Sequence, residues 1–288
     1  MAVRVPEPYV RPASLDEALG ALAEAPRLVV AGGTDVYAAY ATHPVDRPVL
    51  DVSRVDGLRG ITREAGGWRF GARTTWTDIA ESDGLPAAFD GLRGAARQVG
   101  GRQVQNMGTI GGNVVNASPA ADGTPNLLAL DAAVECVSAA RGVRRVPMAA
   151  FMTGYRATAL APDELVTAVL VPPAGDGARS TFAKLGSRAF LVISIVSVAA
   201  VLEVSDGTVS GARIAVGACS PVPVRLHALE AALVGAGAGP ADGTALAGRV
   251  TAAHLSGLSP IDDVRAPAAY RLDAAVTLVR RALAELCG

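Results

Sequence analysis

Lysine is almost missing from this chain: Lys184 is the only one among 26 basic side chains, and arginine supplies the rest. The net charge of −1 leaves no broad cationic footprint for nucleic acid. Cysteine is scarce too. Cys136, Cys219 and Cys287 are far apart and form no CxxC pair, which excludes a local zinc site or an iron–sulfur cluster held by this chain alone. The start, Met1-Ala2-Val3-Arg4-Val5-Pro6, has no apolar signal core. The longest apolar run, residues 189–202, is interrupted by Ser194 and Ser197 and is too short to cross a bilayer, so it reads as buried core. A soluble, cytoplasmic protein without a membrane span is expected.

What is there suits a folded chain. Half of the 288 residues are apolar and 18% are charged, enough for two domains or one large one. Residues 14–25 carry Leu15, Ala18, Leu19 and Leu22 at helical spacing, with Ser14 as N-cap and Glu17 at N3. Strands are expected at 27–31 and 49–52, and a hairpin turns at Gly66-Gly67. Thr75 or Thr77 caps a helix running to Glu81, and 88–99 bears an amphipathic stripe. Residues 126–133 read as helix, 132–139 and 143–147 as paired strands, 148–153 as a short helix and 164–172 as a strand. Pro173-Ala174-Gly175-Asp176-Gly177 is the best linker. Beyond it, three strands (179–186, 192–204, 209–218) precede three helices (224–233, 240–254, 266–286), with a further helix optional before the second strand. Strands followed by helices imply an α+β second domain.

Two glycine-rich turns carry the chemistry. Ala31-Gly32-Gly33-Thr34-Asp35 leaves a β-branched strand, and a helix is expected from Val36. It suits a phosphate-binding turn, and equally an ordinary tight turn. Residues 100–122 include Gly108, Thr109, Ile110, Gly111, Gly112, Asn113, Asn116, Ser118 and Asp122. Such a stretch predicts an open polar backbone that a ligand can approach closely, with N–H groups forming an anion nest. Asp122 is the carboxylate expected on a ribose hydroxyl. Neither turn spells GxGxxG or ends in GK[ST], which excludes the nicotinamide-dinucleotide fingerprint and the phosphate loop. Two nests for two phosphates point to a diphosphate cofactor held by another fold.

The run from Val29 to Asp35, and Asn106 to Asp122 (NMGTIGGNVVNASPAAD), resemble the two flavin signatures of the molybdenum hydroxylases. The similarity is to their FAD-binding medium subunit, as in aerobic carbon monoxide dehydrogenase and three-subunit xanthine dehydrogenases. Lys184-Leu185-Gly186-Ser187-Arg188 and residues 263–283 resemble that family's C-terminal domain. The resemblance implies an α+β protein: a two-part FAD-binding domain of the PCMH (vanillyl-alcohol oxidase-like) type over residues 1–173. A smaller α+β domain with an antiparallel sheet and C-terminal helices would follow over 178–288.

By that resemblance Val29, Val30, Ala31, Gly32, Gly33, Thr34, Asp35 and Val36, with Thr109, Ile110, Gly111, Gly112 and Asn113, would wrap the FAD diphosphate. Asp122 would bind ribitol or ribose hydroxyls, and Val99 would sit near the ring. Val166, or neighbouring Leu165, would offer backbone to the isoalloxazine or adenine end, and Lys184 would approach the flavin from the second domain. Core packing for Val99, Leu165 and Val166, and a surface position for Lys184, stay open alternatives. The implied partners are a molybdopterin-binding large subunit and a small subunit with [2Fe–2S] clusters. Electrons would pass through FAD to NAD⁺, oxygen, a quinone or another acceptor. Many members place an acidic residue a few positions after the arginine matching Arg188; residues 189–194 have none, which leaves the acceptor open. A self-contained FAD enzyme of the same fold would need its own substrate pocket and catalytic acid. A scaffold without FAD would not need Gly32, Gly33, Gly111, Gly112 and Asp122 intact.

Overall fold

The structure, a computed structural model, describes residues 8–175 and 177–288; the stretch considered for a signal core and Asp176 of the linker lie outside the described residues. The chain opens with β1 (Tyr9–Val10), α1 (Leu15–Glu24), β2 (Leu28–Val30), α2 (Val36–Ala39) and β3 (Val49–Asp51). β3 lies between β1 and β2 and parallel to both. α1 starts where the sequence says. The Ser14 hydroxyl accepts from the Glu17 N–H, and the Glu17 carboxylate accepts from the N–H groups of Ala13 and Ser14. Its apolar stripe, Ala18, Leu19, Ala21 and Leu22, packs on Leu50, Val52 and Leu165.

There follow β4 (Ile61–Glu64), β5 (Gly67–Gly71), α3 (Trp76–Ala80), α4 (Asp90–Ala96), α5 (Arg102–Met107), α6 (Ile110–Asn116) and α7 (Gly123–Ala129). Then come β6 (Ala133–Ser138), β7 (Gly142–Pro147), α8 (Met148–Phe151), β8 (Met152–Gly154), β9 (Ala157–Thr158) and β10 (Glu164–Val171). A five-stranded sheet in the order β4-β5-β10-β6-β7 is the backbone of this half. β10 is its centre, buried on both faces, because alternate side chains point to opposite layers. Leu165 joins the α1 layer, while Val166, Val169 and Val171 join the helical layer with Trp76, Phe89, Leu92 and Leu127.

The remainder is β11 (Arg179–Leu185), β12 (Val196–Ser205), β13 (Thr208–Gly217), β14 (Val224–Arg225), α9 (His227–Leu233), α10 (Gly243–Gly248) and α11 (Ala268–Cys287). The four strands pair antiparallel in chain order. Val198, Ala200 and Leu202 face α9–α11, whereas Ala199 and Val201 turn into the core of the first half. A strand covered on both faces reads as a continuous apolar run rather than an alternating one. Both halves therefore share a core across this sheet.

Three expectations are corrected. The glycine-rich stretch is not open backbone: it folds as α5 and α6, held by tertiary contacts rather than propensity. The apolar run 189–202 is core only from Ile195 onward; before it, Phe190 (71% exposed) and Ile193 (51% exposed) stand in a loop, and no helix precedes β12. The expected helix over 240–254 stops at Gly248, and a separate 3₁₀ turn covers Ala252–Leu255. The β8–β9 hairpin and the strand β14 were not anticipated.

Candidate functional site

A cleft of about 530 Å³ lies between the small parallel sheet, α6 and β10, within the size range of small-molecule sites. The first glycine turn forms one wall. Gly33 has φ +71°, which favours glycine, and a Cβ at Gly32 would stand 1.7 Å from the Met107 carbonyl oxygen. Among the described residues, the N–H groups of Gly32, Gly33, Thr34 and Asp35 donate to no backbone carbonyl. Four successive free donors in one turn make a concave seat for an anion.

The second glycine turn contributes differently. Thr109 caps α6, its hydroxyl accepting from the Gly112 N–H at 3.0 Å. The Ile110 N–H donates to the Thr74 carbonyl and the Gly111 N–H to the Ala72 carbonyl, both at 2.9 Å. A Cβ on Gly111 would lie 2.7 Å from both the Ala72 Cβ and its carbonyl oxygen, so the close approach there is the chain to itself. These amides are already committed. What α6 offers the cleft is Asn113, whose Oδ1 is buried without a hydrogen-bond partner. An acceptor left so is costly, roughly 1–3 kcal/mol, and a ligand hydroxyl would relieve it.

Val29, Ala31, Gly32, Gly33, Thr34, Asp35 and Val36 line the cleft, as do Val99, Thr109, Gly111, Gly112, Asn113, Leu165 and Val166. Val30, Ile110, Asp122 and Lys184 do not. Val30 and Ile110 are buried in the core. Asp122 and Lys184, expected separately at the cofactor, instead meet each other. Lys184 Nζ donates to the Asp122 carboxylate at 2.6 Å, and the Ser194 hydroxyl donates to its other oxygen at 2.5 Å. Burial pushes the Asp122 carboxyl up, and Lys184 and Ser194 oppose that rise. The pair stands behind the cleft wall: a Cβ on Gly123, the next residue, would lie 2.8 Å from Asn113 Oδ1.

Two arginines were not singled out in the sequence. Arg156 sits at the tip of the β8–β9 hairpin with φ +49°. Its guanidinium donates to Asn116 at 2.8 Å and to Asp35 at 3.3 Å, tying the first glycine turn to the end of α6. Arg73 follows β5 and lines the cleft beside Val52 and Leu58. No motif marks either position. The three cysteines are all buried, and burial pushes the thiols of Cys136 and Cys219 up to about 11. Among the described residues no group of His, Cys, Asp and Glu could hold a metal ion, and no helix is long and apolar enough to cross a membrane. Unpaired backbone donors and apolar side chains in one cleft fit a ligand that carries phosphate together with flat, apolar parts.

Residues 2–174 match the model of the FAD binding domain in molybdopterin dehydrogenase, and residues 181–286 match the CO dehydrogenase flavoprotein C-terminal domain. The xanthine dehydrogenase FAD-binding subunit of Escherichia coli O157:H7 is 32% identical, over 96% of this chain and 94% of that one. The nicotinate dehydrogenase FAD-subunit of Eubacterium barkeri is 32% identical over 79% of each. A crystal structure of the Cu,Mo-CO dehydrogenase contains a chain that superposes with a TM-score of 0.88 at 27% identity, covering 99% of both chains.

Proposed function

This chain belongs to the FAD-binding medium subunits of the molybdenum hydroxylases, and on that footing we propose that it is the outlet of such a complex, passing electrons from partner [2Fe–2S] clusters through FAD to NAD⁺, oxygen, a quinone or another acceptor. When bound, FAD supplies the redox chemistry, and the protein supplies binding, orientation and electrostatics. The observation that carries the reading is the run of free N–H groups at Gly32–Asp35, residues that line the cleft. These groups would seat the diphosphate. Asn113 Oδ1 would accept from a ribityl hydroxyl, and the β10 backbone at Leu165 and Val166 would border one flat end. Val99 would pack against the other. Arg156, by holding Asp35, would keep that carboxylate's charge balanced beside the phosphates. Lys184 and Asp122 would act one step back, fixing the wall that carries Asn113.

The partners implied are a molybdopterin-binding large subunit and a [2Fe–2S] small subunit, with NAD⁺, oxygen or a quinone as acceptor, in the cytoplasm. The relatives' names span xanthine, nicotinate and carbon monoxide, so one kind of flavin subunit serves unlike substrates. Substrate choice therefore belongs to the partner, and we place the domain division at the linker, 1–173 and 178–288. The test is the visible spectrum of the purified chain, the identity of its released flavin, and the chains that co-purify with it. A colourless protein that takes up no added FAD would refute the reading. Turnover of an organic substrate by this chain alone would replace it with a self-contained enzyme.

A further inference from the structure

Arg73 is a cation in the cleft with no carboxylate bound to it. Among the described residues its guanidinium makes a single hydrogen bond, from Nη1 to the Val55 carbonyl at 3.1 Å, and no salt bridge. Its neighbours are otherwise engaged. Arg59 holds Asp78 through two bonds of 2.8 and 2.9 Å. Arg11 lies 3.3 Å from Asp51, which also accepts from the Tyr9 hydroxyl at 2.6 Å. Partial burial and the nearby Arg59 charge both push Arg73 down. A guanidinium has five donors; the Val55 carbonyl holds one of Arg73's, and the residue lines the cleft.

Its place in the cleft decides what those donors meet. Besides the free amides of Gly32–Asp35, the cleft lining has two apolar ends. At one end, Val99 and Val104 flank Gly100-Gly101, where the Leu191 side chain of the second-half loop arrives: a Cβ on Gly101 would lie 2.8 Å from it. At the other end, Val52 and Leu58 close the cleft against the α1 layer, and the Arg73 N–H donates to the Leu58 carbonyl at 2.6 Å. A redox ring has to exchange electrons with partners, and the loop end leads to exposed Phe190 and Ile193 while the Arg73 end runs into core. With phosphates seated at those amides and the redox ring at the loop end, the adenosine half is left for the Arg73 end. There the apolar Val52 and Leu58 suit a flat base, whose ring nitrogens are acceptors for a guanidinium.

We propose that Arg73 anchors the adenosine half of the cofactor and gives this chain its preference for FAD over FMN. The proposal rests on the FAD reading above. FMN has one phosphate and no adenosine, so it would use the seat at Gly32–Asp35 but not Arg73. Losing one charged donor to a buried acceptor corresponds to roughly tenfold or more in affinity.

The full chain, stripped of flavin, is titrated with FAD and FMN by flavin fluorescence, with ADP as competitor, for wild type, Arg73→Leu and Arg73→Gln. Wild type should bind FAD at least about tenfold more tightly than FMN. Arg73→Leu should lose about tenfold or more for FAD and for ADP, with FMN within about twofold of wild type. Equal losses for FAD and FMN would overturn the assignment, because Arg73 would then serve the shared phosphate or the fold. Unchanged FAD affinity would overturn it too. A wild type that binds FMN but gains nothing from adenosine would sink Arg73 alone, whereas one that binds neither flavin would sink the FAD reading as well. If Arg73→Leu melts early, Arg73→Gln, which keeps a donor for the Val55 carbonyl, carries the same comparison.

Discussion

Lys184 Nζ lies 2.6 Å from the Asp122 carboxylate, and the two side chains are only 7% and 6% exposed. The chain's one lysine thus ties β11 of the second half to the entry of α7 in the first. Burying both charges is costly, and their mutual contact, with the Ser194 hydroxyl on the carboxylate, offsets it. Lys184→Met should leave the carboxylate buried with Ser194 as its remaining partner, and destabilise by about 3–5 kcal/mol. Asp122→Leu should strand the ammonium and cost about as much. The double variant should recover much of the loss, since no uncompensated charge remains. Urea unfolding of the four proteins measures this. Single variants within about 1 kcal/mol of wild type would show the pair to be an ordinary weak contact.

Gly111 and Asn113 share a helical turn but should respond oppositely. A Cβ at Gly111 would meet Ala72 at 2.7 Å, a contact of the chain with itself. Gly111→Ala should lower the melting temperature of the flavin-free protein, and Gly111→Val should lower it further, through overpacking of about 1–3 kcal/mol. Asn113→Ala removes a buried oxygen that has no partner in the protein. It should leave that melting temperature unchanged or slightly raised, while weakening FAD binding by several fold. Paired thermal melts and FAD titrations separate the two residues. Unchanged stability in Gly111→Ala would mean the helix can shift away from Ala72.

Local signals were legible in the sequence where a few adjacent residues decide the structure. Ser14 and Glu17 form their reciprocal cap, Thr75 with Asp78 forms another, and Gly33 takes the left-handed turn that its neighbourhood suggested. α11, expected over 266–286, spans Ala268–Cys287. Other features depend on distant partners. α5 and α6 are too short to stand alone, and their dense glycines read as loop until Ala72 and Thr74 are brought against α6 and Gly32 against the end of α5. Phe190 and Ile193 belong to an apolar run, yet only its later part reaches the sheet. Asp122 and Lys184 were both singled out, but their meeting is a tertiary fact, spanning 62 positions. Arg73 has no local signature because its importance comes from the carboxylate it does not touch.

Asp263 contributes to the acid response of the second half. Burial pushes its carboxyl up. The N–H groups of Arg265 and Ala266 and the guanidinium groups of Arg271 and Arg265 outweigh that, and hold it down at about 2. The same Arg271 donates to the Ile195 and Ala218 carbonyls, so Asp263 orients the residue that fastens α11 to the sheet. A carboxylate whose folded value lies below its unfolded one stabilises the fold above the unfolded value, near pH 4, and loses that contribution as pH falls towards the folded value. Wild type should therefore lose stability between about pH 4 and pH 2 through this group. Asp78, Glu164 and Glu230 are also held low and will titrate in the same acid range, so wild type alone is uninformative. The comparison that isolates Asp263 is with Asp263→Asn, which cannot ionise and in which the other carboxylates cancel. At pH 7 the variant should be the less stable of the two, and the gap should close on acidification as the wild-type carboxyl takes up its proton. Melting curves at half-unit pH intervals give the difference directly. A gap that stays constant through acid would mean the side chain acts by shape alone, and the charge on Asp263 would have no part in holding α11.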